Sequence, residues 1–303
     1  GWTITAGVGG SFTNAALRNT TFSGTAGNSY TLRWTIANAP CTSSTDDVNV
    51  TFNRNPTTSD AGSDQTGIST CGLTTVTLNG NNPTVGTGAW SIIAGAGGSF
   101  VNSAVRNTNF SGTAGTAYTL RWTISNAPCT ASNDNVLVTF NRNPTTSNAG
   151  PDQTNSATCG LTSVTLAANT PAVGTGAWTI TAGIGGTVTT PSSPTSTFSG
   201  TAGTAYTLRW TISNAPCNAS LDNVNITFNR NPTTANAGAD QTGIATCGLT
   251  SVTLAGNSPA VGTGLWTIQS GVGGSFANAA VRNTTFSGIA GNTYTLRWTI
   301  SNA

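Results

Sequence analysis

The chain has 303 residues, and its ten cations are all Arg and its eight anions all Asp, with no His, Lys, Glu or Met. At 6% charged residues and a net charge of +2 it lies far below the usual quarter, carries no basic footprint for nucleic acid, and has no apolar run near the roughly 20 residues that span a membrane. General acid–base or nucleophilic catalysis would fall to scattered Asp residues, so the composition predicts no enzyme.

The sequence repeats itself. Trp34, Trp122, Trp210 and Trp298 are spaced by 88 residues, as are Trp2, Trp90, Trp178 and Trp266, then Cys41, Cys129 and Cys217, then Cys71, Cys159 and Cys247. A fixed period marks an array, and 88 residues fit one small β-sandwich. Boundaries are set after each Asn-Pro, where proline stiffens the joint. They give 1–56 as the C-terminal part of a repeat, 57–144 and 145–232 as whole repeats, and 233–303 as the N-terminal part of another. The chain opens inside a unit and closes just ahead of the Pro-Cys that the period predicts. The expectation is a segment of a longer array.

In residues 57–144 the predicted elements come in order. Ala61–Thr66 reads as an edge-like first strand and Thr74–Leu78 as an alternating second strand. A turn-rich loop leads to Ala89–Ile93, the third strand, which carries Trp90. Asn107–Phe110 is a short strand, Tyr118–Ile124 the penultimate one and Asn135–Phe140 the last. Along Tyr118–Ile124, Tyr118, Leu120, Trp122 and Ile124 share one face. Short strands with regular turn signals and no helical period predict an all-β fold. The fold class is tandem immunoglobulin-like β-sandwiches, end to end in a rod. Trp90, and by period Trp178 and Trp266, take the place of the core tryptophan of strand C. Trp34, Trp122 and Trp210 on the penultimate strand complete the predicted core. Tyr30, Tyr118, Tyr206 and Tyr294 take the place of the tyrosine corner. Each buried indole contributes roughly 4–6 kcal/mol gross at about 25 cal/mol per Å².

Six Cys at strict spacing point to an oxidising compartment. With no His and no CxxC, neither a metal nor a cofactor is expected. Cys71, Cys129, Cys159 and Cys217 are the predicted disulfide residues. The first pairing is within a repeat, Cys71–Cys129, although the immunoglobulin topology sets these at opposite ends of the sandwich. Cys71–Cys217, stapling one repeat to the next, competes with it, as do Cys41–Cys71 and free thiols.

The motifs AGSDQT, TCGLTTVTLNGN, GTGAWSI, YTLRWTISNAPC and DDVNVTF resemble the PKD-like, immunoglobulin-like repeats of giant Bacteroidota surface adhesins of the SprB gliding-motility type. The resemblance covers the whole chain. It implies export by the type IX system, a cell-surface location and a stalk or filament role.

Other recurring residues each carry a competing reading. Arg54, Arg142 and Arg230 precede each joint and Asp64, Asp152 and Asp240 follow it, so an ion pair fixing neighbouring repeats is one expectation. Asp46, Asp134 and Asp222 suit turn chemistry better than a calcium loop. Arg33, Arg121, Arg209 and Arg297 point outward from the penultimate strand, where they keep a sheet face soluble or meet an anionic polysaccharide. Thr187–Thr197 replaces the local pattern of the other repeats and reads as drift or a variable loop. The sequons at Asn19 and Asn283 read as chance. The expected partners are neighbouring repeats, surface polysaccharide or lateral copies. The expected function is a structural stalk, with a multivalent glycan-binding array or a self-assembling extracellular fibre as alternatives.

Overall fold

The computed structural model describes residues 1–302, and its regular structure is all β apart from three single 3-10 turns. Residues 1–56 give β1 (Trp2–Ala6), β2 (Ser11–Phe12), β3 (Phe22–Ser23), β4 (Ser29–Ile36) and β5 (Ser44–Thr51). Residues 57–144 give β6 (Thr75–Thr77), β7 (Thr87–Ala94), β8 (Ser99–Phe100), β9 (Asn109–Ser111), β10 (Ala117–Asn126) and β11 (Cys129–Thr139). Residues 145–232 give β12 (Ser163–Thr165), β13 (Thr175–Ala182), β14 (Thr187–Val188), β15 (Thr197–Ser199), β16 (Ala205–Asn214) and β17 (Cys217–Thr227). Residues 233–302 give β18 (Ser251–Thr253), β19 (Thr263–Ser270), β20 (Ser275–Phe276), β21 (Thr285–Ser287) and β22 (Thr295–Ser301).

Two compact units form, Gly1–Asn143 with Asn214–Asn218, and Pro144–Ser213 with Ala219–Ala303. In the first unit, the first repeat has sheets β1-β4-β5 and β2-β3, and the second has β11-β10-β7 and β6-β9-β8. In the second unit, the third repeat has β13-β16-β17 and β12-β15-β14, and the fourth has β19-β22 and β18-β21-β20. Each repeat is thus an immunoglobulin-like sandwich of two small antiparallel sheets.

The core follows from strand alternation. Tyr118, Leu120, Trp122 and Ile124 are at most 1% exposed, while the residues between them face outward. Trp90 sits directly across from Trp122 in the ladder, with ring centroids 5.0 Å apart. The pairs Trp178–Trp210 and Trp266–Trp298 repeat this at 5.1 Å. The facing sheet closes on them with Val76, Leu78 and Phe110, and Phe110 stacks on Phe140. Trp34 is only half-buried, because residues 1–56 hold no counterpart of β6.

Two local readings are corrected. The third strand starts at Thr87 rather than Ala89 and takes in Gly88, because the Trp122 ring lies where a Cβ at that position would stand. Gly176 and Gly264 stand in the same relation to Trp210 and Trp298. A glycine inside a strand marks such a close approach. Ala61–Thr66 is not a strand. Gly62 holds a φ of +81°, which breaks the extended run, and pairing shrinks to one parallel bridge, Gln65 to Val138.

Trp122→Ala is expected to cost about 3–5 kcal/mol, and Gly88→Ala about 1–3 kcal/mol through overpacking. The outward Arg121→Ala should stay within about 0.5 kcal/mol. Urea unfolding followed by circular dichroism checks all three, and an equal effect of Arg121→Ala and Trp122→Ala would overturn the face assignment.

Candidate functional site

The recurring polar residues hold each sandwich together from within. The Tyr118 hydroxyl accepts from the Thr113 amide at 2.8 Å and donates to the Ala96 carbonyl at 2.9 Å. Tyr30, Tyr206 and Tyr294 make the same two bonds, to Thr25 and Val8, Thr201 and Ile184, and Ile289 and Val272. These are tyrosine corners in position and in bonding. The amide bond lowers the Tyr30 and Tyr206 phenols below their ordinary value.

The joint residues act differently from the ion-pair expectation. Asp64 accepts from the Leu137 amide and Asp152 from the Asn225 amide, both at 2.8 Å. Each carboxylate therefore pins the last strand of its own repeat. The Asn225 amide, then its side chain, hold Asp152 below the usual carboxylate range. Arg142 donates to the Ala114 carbonyl at 3.1 Å and Arg230 to Ala202 at 3.2 Å, so each caps a turn of its own repeat. Arg54 packs its side-chain stem against Gly27 in the same fashion. Neither Arg54–Asp64 nor Arg230–Asp240 forms an ion pair; among the described residues the salt bridge present is Arg33–Asp47 at 2.8 Å. At Asp64 and Asp152 a backbone amide of the same repeat already binds the carboxylate, and the Arg142 and Arg230 guanidinium groups fold back onto turns of their own repeats.

A residue type that the sequence reading passed over makes the joint. Asn126 Nδ2 donates to the Arg54 carbonyl at 2.7 Å, Asn214 to Arg142 at 2.7 Å, and Asn302 to Arg230 at 3.0 Å. Each bond runs from the end of β10, β16 or β22 to the end of the preceding repeat. The signal was present as the repeated Ile-Ser-Asn-Ala beside the repeated Arg-Asn-Pro.

Cys71 bonds Cys217, with Cα atoms 5.6 Å apart, inside the usual window. The within-repeat pairing Cys71–Cys129 is not formed, and Cys129, Cys159, Cys41 and Cys247 are free thiols. Cys71 bridges Asn141, beyond the far end of β11, whereas Cys129 begins that strand. Twelve residues at about 3.3 Å separate them by roughly 40 Å. Cys217 instead stands at the tip of the β16–β17 hairpin, which lies in the first unit with Cys71.

The remaining candidates resolve into scaffold. Asp134 and Asp222 accept from the Ala61 and Ala149 amides at 2.7 Å, which is backbone pinning rather than a cation loop. Arg121 and Arg209 donate across the sheet to Asn135 and Asn223 at 2.9 and 3.0 Å. Ser196 in the replaced segment accepts from the Thr190 amide, as Thr108 does from Asn102, and the Trp178 indole finds the Ser193 carbonyl as Trp90 finds Arg106. The substitution thus conserves the bonds. Asn19 and Asn283 are exposed. Among the described residues no three His, Cys, Asp or Glu side chains cluster as metal ligands would. A cleft of about 570 Å³ in the fourth repeat is lined by the core positions Leu254, Trp266, Phe286, Tyr294 and Leu296 together with polar residues that include Asp240, Gln241, Thr250 and Asn292.

The sequence matches no protein-family model and no curated protein. Among solved structures it is similar to Sidekick-1 immunoglobulin domains 1–5, at 10% identity and TM-score 0.36 over 86% of this chain and 60% of that one. Human CDH23 EC21-23 is similar at 12% identity and TM-score 0.35, over 75% and 88%. Invasin, a bacterial integrin-binding protein, is similar at 12% identity and TM-score 0.32, over 95% and 66%. All three scores lie below 0.5, so the sandwich assignment stands on this chain's own sheets.

Thiol titration of the folded chain is expected to count four thiols before reduction and six after. Cys217→Ser should lower stability by up to about 5 kcal/mol by the chain-entropy relation, and Cys129→Ser by no more than about 0.5 kcal/mol. A folded Asp152 below its ordinary pKa of 3.8 adds stability above that value and loses it as pH falls through the folded pKa. Melting curves from pH 5 to 2 should therefore fall more steeply for the parent chain than for Asp152→Asn; parallel curves would refute the pinning role.

Proposed function

We propose that the chain is a structural segment of an extracellular stalk or filament, with no catalytic role, in which successive sandwiches hold another element away from an anchor. The observation that carries this reading is the covalent tie from Cys71 in the second repeat to Cys217 in the third. A bond between successive repeats resists their separation and serves no chemistry within either one. The bonding of the recurring Asp, Arg and Asn side chains supports it, since these polar groups hold the scaffold itself. The disulfide favours an oxidising location outside the cytoplasm. The resemblance to SprB-type repeats supports a more specific reading: a gliding-motility adhesin exported by the type IX system and attached at the outer membrane. A glycan-binding array is less favoured, because Arg33, Arg121 and Arg209 are already held by Asp47, Asn135 and Asn223.

Force spectroscopy tests the mechanical role. After reduction of the disulfide, each whole repeat should unfold as one event releasing on the order of 30 nm at about 0.35 nm per residue. With the disulfide intact, the stretch between Cys71 and Cys217 should not extend, and reduction should add on the order of 50 nm. Unfolding at forces no higher than those of a random globular domain, together with tight binding on a glycan array, would overturn the reading.

A further inference from the structure

The pairing that forms runs against the statistics of the unfolded chain. Loop closure becomes rarer as about the 3/2 power of loop length. Cys41–Cys71, Cys129–Cys159 and Cys217–Cys247 are each 30 residues apart, and Cys71–Cys129 are 58 apart. The bond present spans 146 residues and passes over both Cys129 and Cys159. Closure alone would favour each of the three near pairs about tenfold, and Cys71–Cys129 about fourfold, over Cys71–Cys217. Something other than nearness along the chain selects the partner.

One strand supplies the selection. β11 starts at Cys129, and past its other end Asn141 holds the turn that Cys71 follows. The Asn141 side chain donates to the Gly67 carbonyl at 2.9 Å and to the Thr70 hydroxyl at 3.0 Å, and its carbonyl accepts from the Gly72 amide at 2.8 Å. Cys71 therefore takes its place only when the last strand of its repeat is laid down. That same strand keeps Cys129 roughly 40 Å away, far outside the roughly 7 Å that a disulfide spans. The next residue, Arg142, gives its carbonyl to the Asn214 side chain at 2.7 Å. Asn214 stands three residues before Cys217, and Asn214–Asn218 lie in the same compact unit as Cys71. Two adjacent residues, Asn141 and Arg142, thus bring the two thiols together through polar bonds that need no covalent link.

We infer that the Cys71–Cys217 bond is made on folded repeats, by thiol–disulfide exchange with a disulfide oxidant that acts after folding, and that Asn214 is the positioning residue that selects the pair. An oxidant acting on the chain in order of emergence would meet Cys71 and Cys129 together before Cys217 arrived. The oxidation step therefore follows the folding step. With oxidised glutathione as the disulfide, the Cys71 thiolate attacks one glutathione sulfur and expels a glutathione thiolate. The Cys217 thiolate attacks the Cys71 sulfur of that mixed disulfide and expels the second. One disulfide replaces another, and the two cysteine protons end on two reduced glutathiones. The stalk reading does not depend on this order of events, and the order does not depend on where the array is displayed.

The test oxidises the fully reduced chain with glutathione redox buffer from two starting states, native buffer and concentrated urea, and maps the products as non-reduced peptides. The reduced chain should keep its sheet signal in circular dichroism. From native buffer, Cys71–Cys217 should exceed every other pair at least about tenfold. From urea, each of the three near pairs should exceed it about tenfold. Asn214→Ala should slow formation of the bond in native buffer about fivefold, the effect of one lost hydrogen bond, with the alkylation rate of Cys71 unchanged. Asn126→Ala removes the same kind of bond at the preceding joint and should leave the rate as it is. A reduced chain without sheet signal, the same products from both starting states, Cys71–Cys129 as the main product in native buffer, or equal slowing by Asn126→Ala and Asn214→Ala would each overturn the inference.

Discussion

The cross-strand tryptophan pair sets the terms for everything else in the repeat. Trp90 and Trp122 face each other in register, and the ring of Trp122 lies over Gly88 on the neighbouring strand. A large ring over a missing side chain is a lock-and-groove arrangement that tolerates no slip. A shift of one residue would turn the pair to solvent and put a Cβ under the ring. The register of β7 on β10 is therefore fixed by one residue pair and one glycine. The facing sheet needs only three-residue strands, because Val76 and Phe110 have a prepared surface to meet. The repeat can be stable without an inter-sheet disulfide for this reason, with Leu120 where an immunoglobulin domain carries its second core cysteine.

Between repeats the constraint is of a different kind. The connection after each Asn-Pro is short, and the first residue past it is already paired: Thr57 to Val85, Thr145 to Val173 and Thr233 to Val261, each at 3.0 Å. The end of β10, β16 or β22 then reaches the last carbonyls of the repeat before through Asn126, Asn214 or Asn302. A residue inserted within β7 or β10 would displace that asparagine, and the period of 88 residues is unbroken.

What could be read from the sequence was what alternation and periodicity encode. The inward row of β10, the two tryptophan series and the tyrosine corners all depend on contacts within a single repeat, and each left a local pattern. Ala61–Thr66 misled because its composition is strand-like while Gly62 sits at positive φ, which no single-residue propensity reveals. The ionic reading of Arg54 and Asp64 failed because sequence shows which charges flank a joint but not that backbone amides reach them first. The cysteine pairing could be narrowed but not closed: the immunoglobulin topology already sets Cys71 and Cys129 at opposite ends of the sandwich and offers Cys71–Cys217, while spacing alone does not distinguish a partner in the same repeat from one in the next.

The unusual composition follows from how the outer faces are built. Outward threonines pair with asparagines on the adjacent strand: Thr31 with Asn49 and Thr77 with Asn109 at 2.8 Å, Thr123 with Asn133 at 2.7 Å, and Thr207 with Asn225 at 3.0 Å. Thr75 with Ser111 and Ser29 with Thr51 continue the pattern. Such cross-strand pairs contribute a few tenths of a kcal/mol to about 1 kcal/mol each, comparable with exposed ion pairs. Unlike ion pairs they contain no charged or titratable group, so salt does not screen them and pH does not titrate them. Thr and Asn thus occupy positions that Lys and Glu fill in most β-proteins. A surface held by neutral ladders keeps its stability across changes of medium, and five of the eight acidic side chains, Asp60, Asp64, Asp134, Asp152 and Asp222, each pin a backbone amide.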